Sequence, residues 1–417
     1  MLPPILEIFV IWHPDDLRGA DFAEKIFDHF MKGATFSGVI GGGVQVSLRS
    51  TGWEGPGTVP RPVYAEGRAA PNGIRPASFV AVVPLLGTEM AACVEDVNTQ
   101  WHAYARAIRD LKQESPDRVG VFPYALDAGA TNGTNLIEIL GNFQFVAVGN
   151  PERHGEGVES MLCRDLTQGI AQLVSQDEMD RLTVFISHTK RHSQAEGEDV
   201  DALVDLVREV IRNTRLNDFF DANDLQPGTD WDQELRDKSG TSAMLALRTD
   251  LYCSREWCQR EVVIAKTNGM PVIMMDAIGI GEERGSFLMD HVPRIAVRKA
   301  DGRWRRQDVY RALNLLVDEC LKRALWMHQK DLALERPELD VAWWAPHAPE
   351  PLTLSSWIDD YLTQNVDDDS EDTIRILHPD PPLGPEEREV LMNYARTTRL
   401  GKEIDIMTPR QLATRGG

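Results

Sequence analysis

"TSAMLALRTDLYCSREWCQREVVIAKTNGMPVIMMDA", residues 241–277, reads as strand, helix, strand. The helix "SREWCQREVVIAKTNG" has Ser254 placed to cap its N-terminus and Gly269 placed to close its C-terminus. Two apolar strands joined through a helix run parallel and belong to an α/β sheet. Within the helix, Trp257 and Glu261 are four residues apart and share a face. An acid beside a large aromatic is either a satisfied surface pair or part of a pocket wall.

The same alternation extends on both sides. Upstream, "RLTVFISHTK" is a strand, followed by a helix whose apolar face is Leu203, Leu206, Val207, Val210 and Ile211. "LNDFFDANDL" gives a short strand and a loop, and "WDQELRDKSG" a helix closed by Gly240. Downstream, the helix "RQDVYRALNLLVDECLKRALW" ends this domain near residue 330.

Residues 1–150 repeat the pattern. "ILEIFVIW" is a strand. In the helix "GADFAEKIFDHFMK", Phe22, Ile26, Phe27 and Phe30 form one stripe. "VQVSLRS", "SFVAVVPLL", "RVGVFPYAL" and "FQFVAVGN" are further strands, the second a continuous apolar run suited to a central parallel position. "VNTQWHAYARAIRDL" is a helix, and the Gly- and Pro-rich stretch 49–76 is a surface loop. The expected fold is therefore α/β: two doubly wound, flavodoxin-like parallel sheets in tandem at 1–150 and 181–330. A helix within 151–180 connects them. Residues 331–417 hold a Pro-rich, aromatic connector, the acidic loop "NVDDDSEDT" and a small C-terminal βαβ segment.

Composition narrows the function. The 417 residues carry 65 acids against 44 bases, a net charge of −21, which argues against broad binding of a phosphate backbone. No apolar run approaches the length of about 18 residues that spans a bilayer, and the N-terminus lacks a basic leader region. The five cysteines are scattered without CxxC or zinc spacing, which suits a reduced, cytoplasmic setting.

"WHPDD" at 12–16 resembles the His-Pro-Asp-Asp motif of zinc-dependent N-deacetylases, yet no HxxH follows, and His188 and His192 lie in another domain. The reading is a turn that caps the next helix, with no metal site. The glycines of "GVIGGGVQ" precede a strand, not a helix, so they make a flexible turn instead of a phosphate loop. Cys253 and Cys258 flank a helix start without a matched base and read as buried thiols.

The loops that follow the strands of 181–330 converge at the carboxyl edge of a doubly wound sheet, where ligands bind. "LTVFISHTK", "FFDANDLQPGTDWDQEL" and "LYCSREWCQREV" resemble, in order, the first box, the second box and the WxxxE region of bacterial Toll/interleukin-1 receptor (TIR) domains. The resemblance covers about residues 181–330. It implies an enzyme that cleaves the nicotinamide–ribose bond of NAD⁺, with Glu261 catalytic and Trp257 as the Trp of WxxxE. Ser187, His188 and Trp231 would bind substrate, and Asp224, Pro227 and Gly228 would form an interface loop. NAD⁺ would be a substrate, with no further cofactor. The resemblance also implies self-association, a protein or nucleotide trigger, and a place in antiviral defence. A non-catalytic scaffold and a cyclase making a cyclic ADP-ribose signal stay open beside the hydrolase. "TKRHS" is basic where family members are often acidic. The first domain is TIR-like in its succession of elements, but Ala105 stands where an acid would follow Trp101, which marks it as non-catalytic.

Overall fold

The computed structural model describes residues 5–32, 36, 44–55, 57–65, 76–127, 130, 133–140, 146–147, 156–175, 182–190, 197–220, 242–282, 284–334, 340–365 and 373–415, with the backbone alone at 146–147, 198 and 217–220. The chain divides into two compact units, Met1–Glu178 and Met179–Gly417.

The first unit contains β1 (Leu6–Trp12), α1 (Leu17–Phe27), β2 (Gln45–Arg49), β3 (Phe79–Leu86), α2 (Thr88–Glu95), α3 (Gln100–Glu114), β4 (Val119–Val121), β5 (Tyr124–Ala125), α4 (Thr134–Leu140), β6 (Val146–Ala147) and α5 (Val158–Ser175). Its sheet runs β2-β1-β3-β5-β6, with β4 also on β3, and the pairs are parallel. The continuous apolar run at 79–86 is fully buried at the centre. "RVGVFPYAL" is two short strands instead of one, because Pro123 has no N–H to give the ladder. The Phe22 stripe continues through a π-helical turn, Asp28–Lys32, that buries Phe30.

Two helix starts in this unit depend on remote acids. Asp16 occupies the cap position of α1 but makes no side-chain bond there. Its carboxylate instead accepts the backbone N–H groups of Glu89 (3.1 Å) and Met90 (3.0 Å) at the start of α2. The expectation that "WHPDD" caps the next helix is corrected: it caps a helix some 70 residues later. A Cβ on Gly87 would lie 2.2 Å from the Asp16 carboxyl carbon, so the close approach needs glycine. Glu95 caps α4 in the same way, through Thr134, Asn135 and Leu136.

The second unit contains β7 (Thr183–Ser187), α6 (Gly197–Arg212), β8 (Asn217–Phe220), β9 (Ser242–Arg248), α7 (Glu256–Thr267), β10 (Val272–Asp276), β11 (Arg294–Ala296), the hairpin β12 (Lys299–Ala300) and β13 (Arg303–Trp304), α8 (Arg306–Leu334), β14 (Trp343–Trp344), α9 (Pro351–Gln364), β15 (Ile374–Leu377), α10 (Pro385–Thr397), β16 (Ile404–Met407) and α11 (Pro409–Arg415). Its main sheet is parallel in the order β11-β10-β9-β7-β8. Read from the other edge, the strands fall second, first, third, fourth, fifth, the flavodoxin-like arrangement whose switch point lies between β7 and β9. Alternate residues feed two cores. Val184 and Ile186 join α6 and α8 on one face, and Phe185, Met244 and Ala246 join α7 on the other.

Beyond α8, the stretch read as a connector supplies β14 and α9. β14, β15 and β16 form a three-stranded parallel sheet with its own core around Leu354, Ile376 and Ile406. The helix expected at 231–240, the glycines at 38–43 and the acidic stretch 366–372, expected as a loop, lie outside the described residues.

Candidate functional site

Strand alternation fixes the first member of the site. Phe185 faces the α7 core, so Ser187, two residues on, projects from the carboxyl end of β7 toward α7. That end lies at the switch point. Helix α7 fixes the second. Its buried stripe is Cys258, Val262 and Ala265, and Glu261 falls within it, three residues after Cys258 and four before Ala265. Glu261 is 3% exposed. A carboxylate in an apolar stripe needs a donor, and the Ser187 hydroxyl donates to its Oε2 at 2.5 Å.

A third residue completes the group. Tyr252, fully buried in the short 3₁₀ turn Tyr252–Ser254, places its hydroxyl 2.6 Å from Ser187 Oγ. Burial, with Cys258 and Glu261 beside it, holds the Tyr252 phenol well above its ordinary pKa. It stays protonated, and with Ser187 giving its proton to Glu261, Tyr252 donates to Ser187. The turn also explains why Ser254 does not cap α7 as expected. Arg255 takes the cap position, and the Ser254 hydroxyl donates to Leu251 O at 2.8 Å.

The remaining candidates are placed differently. Trp257 is 42% exposed, with the Arg260 guanidinium 5.7 Å from its ring centroid. The shared helix face read from the sequence therefore divides: Glu261 turns into the protein and Trp257 stays at the surface. His188 is half-buried. Its ring Nδ1 lies 3.1 Å from Thr189 O, and its carbonyl lies 3.8 Å from the Cys258 thiol. Trp231, Asp224, Pro227 and Gly228 lie outside the described residues.

The thiols nearby are poor nucleophiles. Burial and the Glu282 side chain push Cys253 up to about 11. Burial and Glu261 push Cys258 up further. Sequence reasoning missed Tyr252 and also Asp250, whose carboxylate accepts the backbone N–H groups of Gly279 (2.8 Å), Ile280 (2.9 Å) and Gly281 (3.2 Å). Asp250 thereby clamps the loop after β10 at the same carboxyl edge. Arg248 adds a bond to Glu282 from its Nε at 2.8 Å. A hydroxyl or acid just past a strand end is the only sequence signal either residue gives.

In the first unit, the His13 ring packs against Trp101, tilted by 49° with centroids 5.3 Å apart, and its Nε2 lies 3.8 Å from the Cys93 thiol. Among the described residues, no group of three or more His, Cys, Asp or Glu side chains is arranged to hold a metal ion. Among them, too, no helix is long and apolar enough to cross a membrane.

A doubly wound parallel sheet with helices on both faces defines an α/β domain. The family model described as "TIR domain" matches residues 184–298, and the second unit carries a TIR domain. No curated protein matches the chain. Among solved structures, the tagatose-6-phosphate ketose/aldose isomerase from Escherichia coli is similar at 12% identity over 79% of this chain and 84% of that chain, with a TM-score of 0.19.

Proposed function

We propose that the TIR domain cleaves the nicotinamide–ribose bond of NAD⁺, with Glu261 as the catalytic residue. The observation that carries this is the Tyr252–Ser187–Glu261 chain of hydroxyls and carboxylate at the switch point of the sheet. Nicotinamide leaves as a neutral molecule, so the reaction needs no general acid. It needs a negative charge near C1′ while the ribose passes through an oxocarbenium-like state. A carboxylate fixed by a serine hydroxyl is prepared for that charge before the bond breaks. Water attack at C1′ then gives ADP-ribose and a proton. An internal nucleophile of the substrate would give a cyclic ADP-ribose instead. NAD⁺ enters as substrate, and Trp257, His188 and Trp231 are the side chains we assign to its contacts.

The enzyme acts in the cytoplasm as a bacterial antiviral effector. It is switched on when TIR domains self-associate through the loop bearing Asp224, Pro227 and Gly228, on a protein or nucleotide trigger. The first unit recruits or regulates. The test is incubation of the purified protein with NAD⁺, alone and forced to oligomerise, with nicotinamide release followed. A second reading, a scaffold without chemistry, is favoured by one observation: Ser187 is 1% exposed and Glu261 3%. Absence of nicotinamide under both conditions selects the scaffold.

A further inference from the structure

The far end of α7 borders a cavity of about 110 Å³ that the reading above does not use. One wall is aromatic. The indoles of Trp343 and Trp357 lie parallel, at 6° between planes and 5.3 Å between centroids, and both line the cavity. Tyr361 backs Trp357 at 5.1 Å, which holds its ring in place.

The polar lining has a definite sense. Lys266 reaches the cavity, but its ammonium donates to Asp290 O at 2.6 Å and is ion-paired with Glu350 at 2.8 Å, so its N–H groups are engaged by the protein. The Thr353 hydroxyl donates to Glu350 O and accepts the Glu350 backbone N–H, which leaves it one lone pair, and that of Thr267 donates to Val263 O. Each keeps only acceptor capacity for anything in the cavity. Asp360, on the exposed side, adds a carboxylate. At the other end His347 lies near Lys322, Arg323 and Lys266, and burial together with these cations pulls its pKa down to about 4. The imidazole is neutral at neutral pH, in a region where the neighbouring charges disfavour a cation.

A guest must therefore be flat, to lie against indole. It must carry N–H donors for Asp360, Thr353 and Thr267, and be uncharged, to sit beside His347. The volume is below that of the cavity of about 150 Å³ that holds one benzene, so this one takes no more than a single ring, with its edge and substituents at the mouth. We propose that this cavity binds a neutral, single-ring heteroaromatic molecule bearing an amide or amino group. The site is independent of the NAD⁺-cleaving reading.

The test is titration of the full chain with nicotinamide and with cytosine, followed by calorimetry and by ligand-observed NMR. Controls are benzamidine, a planar cation, and toluene, a ring without donors. The proposal expects binding of at least one of the two heteroaromatic probes and weaker binding of both controls. Trp357→Ala should weaken binding about tenfold, the scale of one base stacked on one aromatic ring. Asp360→Asn, an exposed change that spares the core, should weaken it several-fold. Glu261→Gln should leave it unchanged, which separates this cavity from the switch-point site. No binding of either probe at millimolar concentration overturns the proposal. So does preference for benzamidine, and so does binding that Glu261→Gln abolishes while Trp357→Ala and Asp360→Asn do not.

Discussion

Ser187 and Glu261, 74 residues apart in the chain, are joined by a 2.5 Å hydrogen bond that ties the end of β7 to the buried face of α7. The bond has structural and chemical consequences that separate on mutation. Ser187→Ala leaves the Glu261 carboxylate short of a donor in a nearly dry site, at about 1–3 kcal/mol. The expected outcome is a lower melting temperature together with weaker NAD⁺ cleavage. Thermal unfolding and nicotinamide release check the two halves, and full activity with Ser187→Ala would remove the hydroxyl from the mechanism.

Lys266 and Glu350 form a second buried link, with side chains 8% and 7% exposed. It joins the last turn of α7 to the first residue before α9. Removing one partner strands a buried charge, so Lys266→Met and Glu350→Leu should each cost about 3–5 kcal/mol. The double variant should recover much of that loss. Urea unfolding of the four proteins checks it, and additive losses would show that the two charges do not act as a pair.

Acid should loosen the C-terminal part of the second unit. Burial, with nearby cations, lowers the pKa of His347 to about 4, and burial lowers that of His378. A histidine held neutral in the folded state binds fewer protons than it does unfolded. Its contribution to stability is therefore complete above about pH 6.5 and is lost as pH falls toward about 4. The raised carboxyl of Glu319 works in the opposite sense. The histidine part is read by comparing the pH dependence of unfolding in the wild type with that of His347→Gln and His378→Gln. A slope unchanged by both substitutions would contradict the assignment.

Asp250 holds three consecutive backbone N–H groups of the loop after β10. Asp250→Ala should cost about 1.5–3 kcal/mol and speed amide exchange at Gly279, Ile280 and Gly281. Unchanged exchange at those three amides would show that the loop does not depend on the clamp.

Much of the fold was legible because it rests on local pattern. Residues 242–277 fold as the strand–helix–strand read from them, with the C-terminal close at Gly269, φ +61°. The fully buried run at 79–86 is central, as its unbroken apolarity indicated. What escaped depends on distant partners or very short elements. Helix α2 is eight residues long and takes its cap from Asp16. Strand β14 is only Trp343–Trp344, too short for any period to show. At the candidate site, Glu261 carried a local signal besides its motif, an acid within the apolar stripe of an amphipathic helix. Tyr252 carried only its place just past a strand end, because its role is set by a hydroxyl 65 residues earlier. Trp257 was read onto the face of Glu261 by spacing alone, and spacing does not say which of two neighbours turns inward.

The role of Glu261 is decided by nicotinamide release from NAD⁺ by the purified, artificially clustered chain, wild type against Glu261→Gln. The substitution keeps size and polarity and removes the charge that supports the oxocarbenium-like state. The wild type should release nicotinamide, and the variant should lose at least about a hundredfold in kcat, the scale of one electrostatic contact in a transition state, with the melting temperature and KM little changed. An unchanged kcat in Glu261→Gln would contradict that role.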